Sequence, residues 1–211
     1  MIKRTFDFVL AALGLAISAP LWALFAIGVK LEDGGPVFYR QMRAGQNGRV
    51  FPVLKFRTLH QDADKTVRPW IAPGEEWVTH VGVFLRRTAM DELPQILNIL
   101  KGDMSFVGPR AMPVSEFETF KEKIPGLSRR LEARPGLTGI AQVYGKATRN
   151  IRAKLRYDLL YVGRQSFLLD LKLILLSVLI TLRGSWEQPK RRHAKDQRKR
   201  TPAEGGVVLP D

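Results

Sequence analysis

From Phe8 to Val29 the chain runs FVLAALGLAISAPLWALFAIGV, without one charged side chain. A straight helix over this run would reach about 33 Å at about 1.5 Å per residue, close to the thickness of a bilayer core. Pro20 interrupts the pattern, because an interior proline lacks an N–H and clashes with the preceding turn. The run therefore predicts either a spanning helix or a broken one that enters the membrane and returns to the same face, each half being too short to cross. Ser18 is placed to satisfy a carbonyl freed at the break. Lys3 and Arg4 precede the segment, and Lys30, Arg40 and Arg43 follow it, so basic flanks give little asymmetry for orientation. A cleavable leader is the third reading, from Ala16-Ile17-Ser18-Ala19, though Pro20 directly after the cut argues against it.

Beyond it the pattern shortens. Val37–Arg40 and Phe51–Phe56 read as strands around a turn at Gln46-Asn47-Gly48. Residues 60–78 read as a polar loop. Residues 91–101, DELPQILNILK, read as a helix with Leu93, Ile96, Leu97 and Leu100 as its apolar stripe and Asp91 or Thr88 as cap. Pro94 fits only the first turn, which puts Asp91-Glu92 at the helix start. Met112–Leu131 reads as a helical region broken near Pro125-Gly126, Pro135–Gly139 as a loop, and Arg149–Arg164 as an amphipathic helix. Ser166–Leu182 is strongly apolar yet carries Asp170 and Lys172, which suits a helix in the membrane interface or one buried in a core. The expected organisation is a membrane segment at 1–33, a mixed α/β, mostly helical domain at 34–186, and a basic, unfolded tail at 187–211.

Composition narrows the partner. Among 211 residues, 34 are Lys or Arg and 20 are Asp or Glu, a formal net charge of +14. Such a balance selects an anionic partner: nucleic acid, a phospholipid surface or a phosphorylated substrate. No nucleic-acid-binding signature is present, and the apolar segment favours lipid. The absence of cysteine excludes disulfides and thiolate chemistry. His60, His80 and His193 have no ligand spacing.

Residues 86–110, RRTAMDELPQILNILKGDMSFVGPR, closely resemble the bacterial sugar transferase family, the monotopic phosphoglycosyl transferases. Further blocks agree in order: Lys3-Arg4 with Phe6-Asp7, Gly35-Pro36-Val37, Arg43–Gly48 with Phe51, Lys55-Phe56-Arg57-Thr58, Pro135–Gly139 with Ala141-Gln142, and Tyr157-Asp158 through Lys172. The chain departs from the family pattern with Ala19-Pro20 for Ser-Pro, Ala111 after Arg110, and Leu59 after Thr58. The resemblance implies the re-entrant reading of the first segment, without the extra membrane region many relatives carry, and a catalytic domain on the cytoplasmic face of the bacterial inner membrane. It implies transfer of a sugar 1-phosphate from a nucleoside diphosphate sugar, expected to be a UDP-sugar, to a polyprenyl phosphate, expected to be undecaprenyl phosphate. The transfer would be magnesium-dependent and pass through a phosphosugar on Asp91.

On that reading Asp91 is the nucleophile, and Glu92 and Asp91 hold Mg2+, which prefers a few carboxylates plus substrate phosphates and water. A bare acidic pair at a helix start is otherwise a cap worth about 0.3–1 kcal/mol. Arg86, Arg110, Lys55 and Arg57 are the candidate phosphate-binding residues, since guanidinium groups grip phosphate through paired hydrogen bonds. Thr138, Gly139, Gln142 and Asp158 are candidates for shaping the substrate site. Asp170 reads as one half of a structural ion pair. The competing readings are a basic peripheral membrane-binding protein without catalysis and an enzyme that hydrolyses phosphodiesters.

Overall fold

The computed structural model describes residues 2–61, 77–145 and 150–183. In chain order the elements are α1 (Ile2–Asp33), β1 (Phe38–Ala44), β2 (Val50–Phe56), α2 (His80–Thr88), α3 (Gln95–Lys101), β3 (Ser105–Val107), β4 (Met112–Pro113), α4 (Val114–Lys121), β5 (Gly136–Thr138), α5 (Ile140–Tyr144), α6 (Ile151–Gly163) and α7 (Phe167–Leu182). Short 3-10 turns at Gln46–Gly48, Met90–Glu92 and Leu127–Glu132 join them. The mixed, mostly helical class expected from the sequence is what the structure has. The tail at 187–211 and most of the loop at 60–78 lie outside the described residues.

α1 is helical from Ile2 to Asp33 straight through Pro20, so Ser18 and Pro20 mark no interruption of the helix. The expected interruption is therefore not a loss of helix; a proline kink, which leaves the helical turns on either side in place, agrees with this run. Proline removes one N–H, and the turns on either side keep theirs. The Ser18 hydroxyl lies 3.5 Å from the Leu15 carbonyl and accepts a hydrogen bond from the Trp22 indole at 3.1 Å. α1 is long and apolar enough to cross a membrane by length and composition.

Its two ends nevertheless meet the same body. At the start, Lys3 pairs with Asp170 at 2.6 Å, and Arg4 donates to the carbonyls of Ile99 and Leu100. The buried Asp7 accepts from the Ser105 hydroxyl and the Phe106 N–H, both at 3.1 Å. At the far end, Glu32 caps α2 through the N–H groups of His80 and Val81, and Asp33 pairs with Arg57. Between them Ala11 packs with Ile96 and Ile99 of α3, and Phe25 and Val29 pack on Phe56 and Leu85. The opposite face of α1 is uncovered, with Ile17 80% and Leu31 81% exposed.

α7 shares this character. Only Asp170 and Leu173 are fully buried, while Leu168 and Leu182 are 76% and 79% exposed. That removes the core-helix alternative: a core helix would bury its whole circumference. Ser166 caps α7 through the Leu169 N–H, and Asp170 is held by Lys3 and the Tyr161 hydroxyl, the structural pairing expected of a carboxylate in an apolar helix. Phe6 and Phe167 meet edge to face at 5.1 Å, so the exposed faces of α1 and α7 start side by side.

β1 and β2 form an antiparallel hairpin, longer in β1 than expected, and β4 adds to the free edge of β1. The outer edge of β2 is closed by one side chain. Asn98 of α3 accepts from the Leu54 N–H at 3.0 Å and donates to the Pro52 carbonyl at 2.8 Å, imitating a further strand. This fixes α3 against β2. β3 and β5 pair in parallel, where the sequence suggested only a loop at 135–139. Three residues of strand carry too little periodicity to be read.

Candidate active site

β2 places Phe51, Val53 and Lys55 on one face by the two-residue alternation of a strand. Phe51 and Val53 enter the core against Ile96 and Ile99. Lys55 is thereby carried to the N-terminal side of α3. There the expected single helix 91–101 is split. α2 ends at Thr88, Ala89 takes a left-handed conformation at φ 57°, and Met90–Glu92 form a 3-10 turn before α3 starts after Pro94. Neither Asp91 nor Thr88 caps α3: the Thr88 hydroxyl turns back to Phe84 and Leu85, and the Asp91 carboxylate faces Lys55. Such a backbone costs about 1–2 kcal/mol for a non-glycine residue and is typical of places where a side chain must be aimed.

Lys55 Nζ lies 2.6 Å from Glu92 Oε1 and 3.3 Å from Asp91 Oδ2. Arg110 Nη2 reaches the same Glu92 oxygen at 2.6 Å. Asp91 Oδ1 has no hydrogen-bond partner among the described residues, which leaves one carboxylate oxygen available for chemistry. The two acids are electrically unlike. Burial pushes the Asp91 carboxyl above the ordinary range, with the Glu92 charge adding to this and Lys55 opposing it. Burial acts on Glu92 in the same direction, but Arg110 and Lys55 outweigh it and hold Glu92 well below the usual range. Glu92 is thus held as the anion, and Asp91 is the more basic of the two carboxylates.

Arg110 sits on a loop set by close backbone contact. A Cβ on Gly108 would lie 2.1 Å from the Arg134 carbonyl, and one on Gly136 would lie 2.0 Å from the Gly108 nitrogen, so no larger residue fits at either place. The Arg110 carbonyl accepts from Arg130 Nη2 at 2.8 Å, and the same nitrogen pairs with Asp158 Oδ2 at 2.8 Å. Arg130 and Asp158 are both buried. Burial pushes Asp158 up to about 6 against the pull of Arg130 and Lys154.

The structure therefore brings Asp91, Glu92, Lys55 and Arg110 together. Arg86, on the last turn of α2, donates to the Thr58 hydroxyl at 2.9 Å. Arg57 is engaged elsewhere: buried, it pairs with Asp33 and donates to the Pro36 carbonyl at 2.6 Å, tying α1 to the end of β2. Thr138 bonds Ser177 of α7, Gly139 lies against the Gly108 backbone, and Asp158 acts on Arg110 through Arg130. The Gln142 amide is buried, and neither polar atom has a partner among the described residues. Sequence reasoning missed Arg130 and gave Arg43, Gln95 and Asn98 no role. The only signal for Gln95 and Asn98 was a polar residue on the buried side of an apolar stripe.

No group of three or more acidic, His or Cys side chains that could hold a metal occurs among the described residues. Two adjacent carboxylates fit the mode in which magnesium keeps several waters and relies on substrate phosphates, and do not fit an all-protein cage.

An acidic pair faced by a lysine and an arginine thus sits in a chain whose helices α1 and α7 carry exposed apolar faces. The chain belongs to the bacterial sugar transferase family, whose model matches residues 1–184. It is 42% identical over 181 residues to a UDP-glucose:undecaprenyl-phosphate glucose-1-phosphate transferase of Caulobacter vibrioides, covering 83% of this chain and 68% of that protein. The Escherichia coli protein of the same name is 38% identical, over 84% of this chain but 39% of its own length. A putative undecaprenyl-phosphate N-acetylgalactosaminyl 1-phosphate transferase of Bacillus subtilis is 45% identical over 130 residues, 62% of this chain and 73% of that protein.

Proposed function

We propose that this protein transfers a sugar 1-phosphate from a nucleoside diphosphate sugar to a polyprenyl phosphate in exopolysaccharide assembly, with a UDP-sugar as donor and undecaprenyl phosphate as acceptor. The observation that carries this is Asp91, raised in basicity, with one oxygen unpartnered beside two cations. An Asp91 oxygen attacks the sugar-bearing phosphorus, and the bond to the neighbouring phosphate breaks. The nucleoside monophosphate leaves with the electron pair, and the phosphosugar stays on the carboxylate. A phosphate oxygen of the polyprenyl carrier then attacks the same phosphorus, and the Asp91 carboxylate departs. Lys55 and Arg110 neutralise the phosphate charge that gathers in both steps. Magnesium, held by Glu92 and Asp91, would supply further charge neutralisation at the substrate phosphates.

We read the exposed faces of α1 and α7 as the lipid-facing surface of a monotopic protein on the cytoplasmic face of the membrane. Support comes from the ends of α1: Lys3 and Asp33 both bind the body that carries the site, so a straight crossing would pull one end away from it. Single-cysteine labels at the two flanks of α1, in sealed vesicles, are expected to react from the same side. Labelling from opposite sides would refute the re-entrant reading.

The function is tested by nucleoside monophosphate release from a panel of UDP-sugars, with magnesium and polyprenyl phosphate in detergent. Release that depends on the carrier and vanishes with EDTA supports the transferase and names its sugar. Release that proceeds to free sugar phosphate without carrier would instead mark a hydrolase.

A further inference from the structure

Arg43 of β1 reaches the same site, although the sequence gave it no role beyond a flanking charge and a place in the block Arg43–Gly48. Its guanidinium donates to the Ala111 carbonyl and to Gln41 Oε1, each at 2.5 Å. Its Nε is buried and has no partner among the described residues. Lys55 and Arg110 each face a carboxylate, but no carboxylate lies within ion-pairing distance of Arg43 among the described residues. Burial, helped by the charge of Arg110, lowers Arg43 to about 10, so it stays charged at neutral pH. A cation removed from water with no carboxylate in contact, the charges of Glu92 and Glu116 acting only from beyond ion-pairing distance, is expensive, and the missing component is an anion.

The surroundings say where that anion sits. Arg43, Val53, Lys55, Gln95, Arg110, Ala111 and Gly136 line one small cavity. Gln95 is buried, and its side-chain amide makes no hydrogen bond among the described residues. Three cationic side chains and a free amide donor therefore converge on one space bounded by a glycine and two apolar side chains.

We infer that Arg43 and Gln95, together with Lys55 and Arg110, form a seat for a phosphate group of one of the two substrates. The inference rests on the transferase reading and adds Arg43 and Gln95 to the substrate contacts. A two-substrate reaction presents two sources of phosphate: the diphosphate of the donor and the monophosphate of the lipid carrier. A single seat is filled by one of them, so the loss of Arg43 weakens one substrate and spares the other.

The test uses the full chain in detergent, wild type against Arg43→Gln, Arg43→Lys and Gln95→Leu. Inorganic pyrophosphate and inorganic phosphate are added as probes, and thermal midpoint is read. Initial rates are then measured with donor and carrier varied separately. Either probe is expected to raise the wild-type midpoint. Arg43→Gln and Gln95→Leu are expected to lose that shift, and Arg43→Lys to keep part of it. The KM of one substrate is expected to rise at least tenfold in Arg43→Gln while the other stays within twofold, and which one rises names the source. An unchanged probe shift with both KM values within twofold would overturn the inference. So would a lowered midpoint and kcat with unchanged KM values, which would reduce Arg43 to a brace for Ala111. If Arg43→Gln does not fold, Gln95→Leu and Arg43→Lys carry the same comparison. Wild-type protein that binds the probes through Arg43 but releases no nucleoside monophosphate would sink the transferase and leave the seat standing.

Discussion

Replacing Asp91 by Asn is expected to lower transfer by at least about a thousandfold, the scale on which loss of a covalent nucleophile acts, while the protein stays folded. The amide keeps the shape of the carboxylate and removes a charge that burial already disfavours. Lys55 keeps Glu92 as its nearer partner at 2.6 Å, so the local structure holds. Nucleoside monophosphate release measures the loss, and mass spectrometry of donor-treated wild-type protein is expected to find a phosphosugar on the peptide carrying Asp91. Normal turnover by Asp91→Asn would end the covalent mechanism. In the metal-free protein burial raises the pKa of this carboxyl, so Asp91 followed by carboxyl NMR without magnesium is expected to titrate above the ordinary aspartate value of about 3.9. Titration at or below that value would remove burial as the dominant influence on Asp91.

Arg130→Ala is expected to destabilise the fold by about 3–5 kcal/mol, because it strands the Asp158 carboxylate in the interior. It also frees the Arg110 carbonyl, so transfer falls in the protein that remains folded. The sign of the pH dependence is specific. The folded state holds Asp158 at about 6, above its unfolded value, so the neutral acid is favoured on folding. The stability from that preference is complete below the unfolded pKa of about 3.9 and is lost as pH rises through about 6. Below pH 4 Asp158 is neutral and needs Arg130 least. The gap in denaturation midpoint between wild type and Arg130→Ala should therefore widen from pH 4 to pH 8. A gap independent of pH would place the cost in lost packing and hydrogen bonds instead. Replacing both partners by apolar residues of similar size is expected to recover most of the loss.

What the chain disclosed in advance follows the range of each interaction. The apolar run of α1, the hairpin of β1 and β2, and the helices α6 and α7 are written in periodicities of a few residues; the observed limits of β2, α6 and α7 agree closely with the pattern, while α1 and β1 run longer. The motif around Asp91 and Glu92 indicated a carboxylate pair just before α3, and the structure sets that pair against Lys55 and Arg110. Arg57 was misplaced although its motif was seen correctly: its partner Asp33 lies 24 residues earlier, and nothing local in Lys55-Phe56-Arg57 indicates which cation turns to the substrate and which to α1.

The sequence by itself determined an apolar amino-terminal helix, a mostly helical mixed body, a strong positive charge and a carboxylate pair where negative charge must be handled. Only the tertiary structure decided that Lys55 crosses 36 residues to meet Asp91, that Arg43 crosses 68 to meet Ala111, and that Arg130 links Arg110 to Asp158. It also decided that both ends of α1 return to one body. The physical reason is that hydrophobic periodicity is a property of neighbours along the chain, whereas an ion pair is chosen by which charges lose their water together, and only the packed fold sets that.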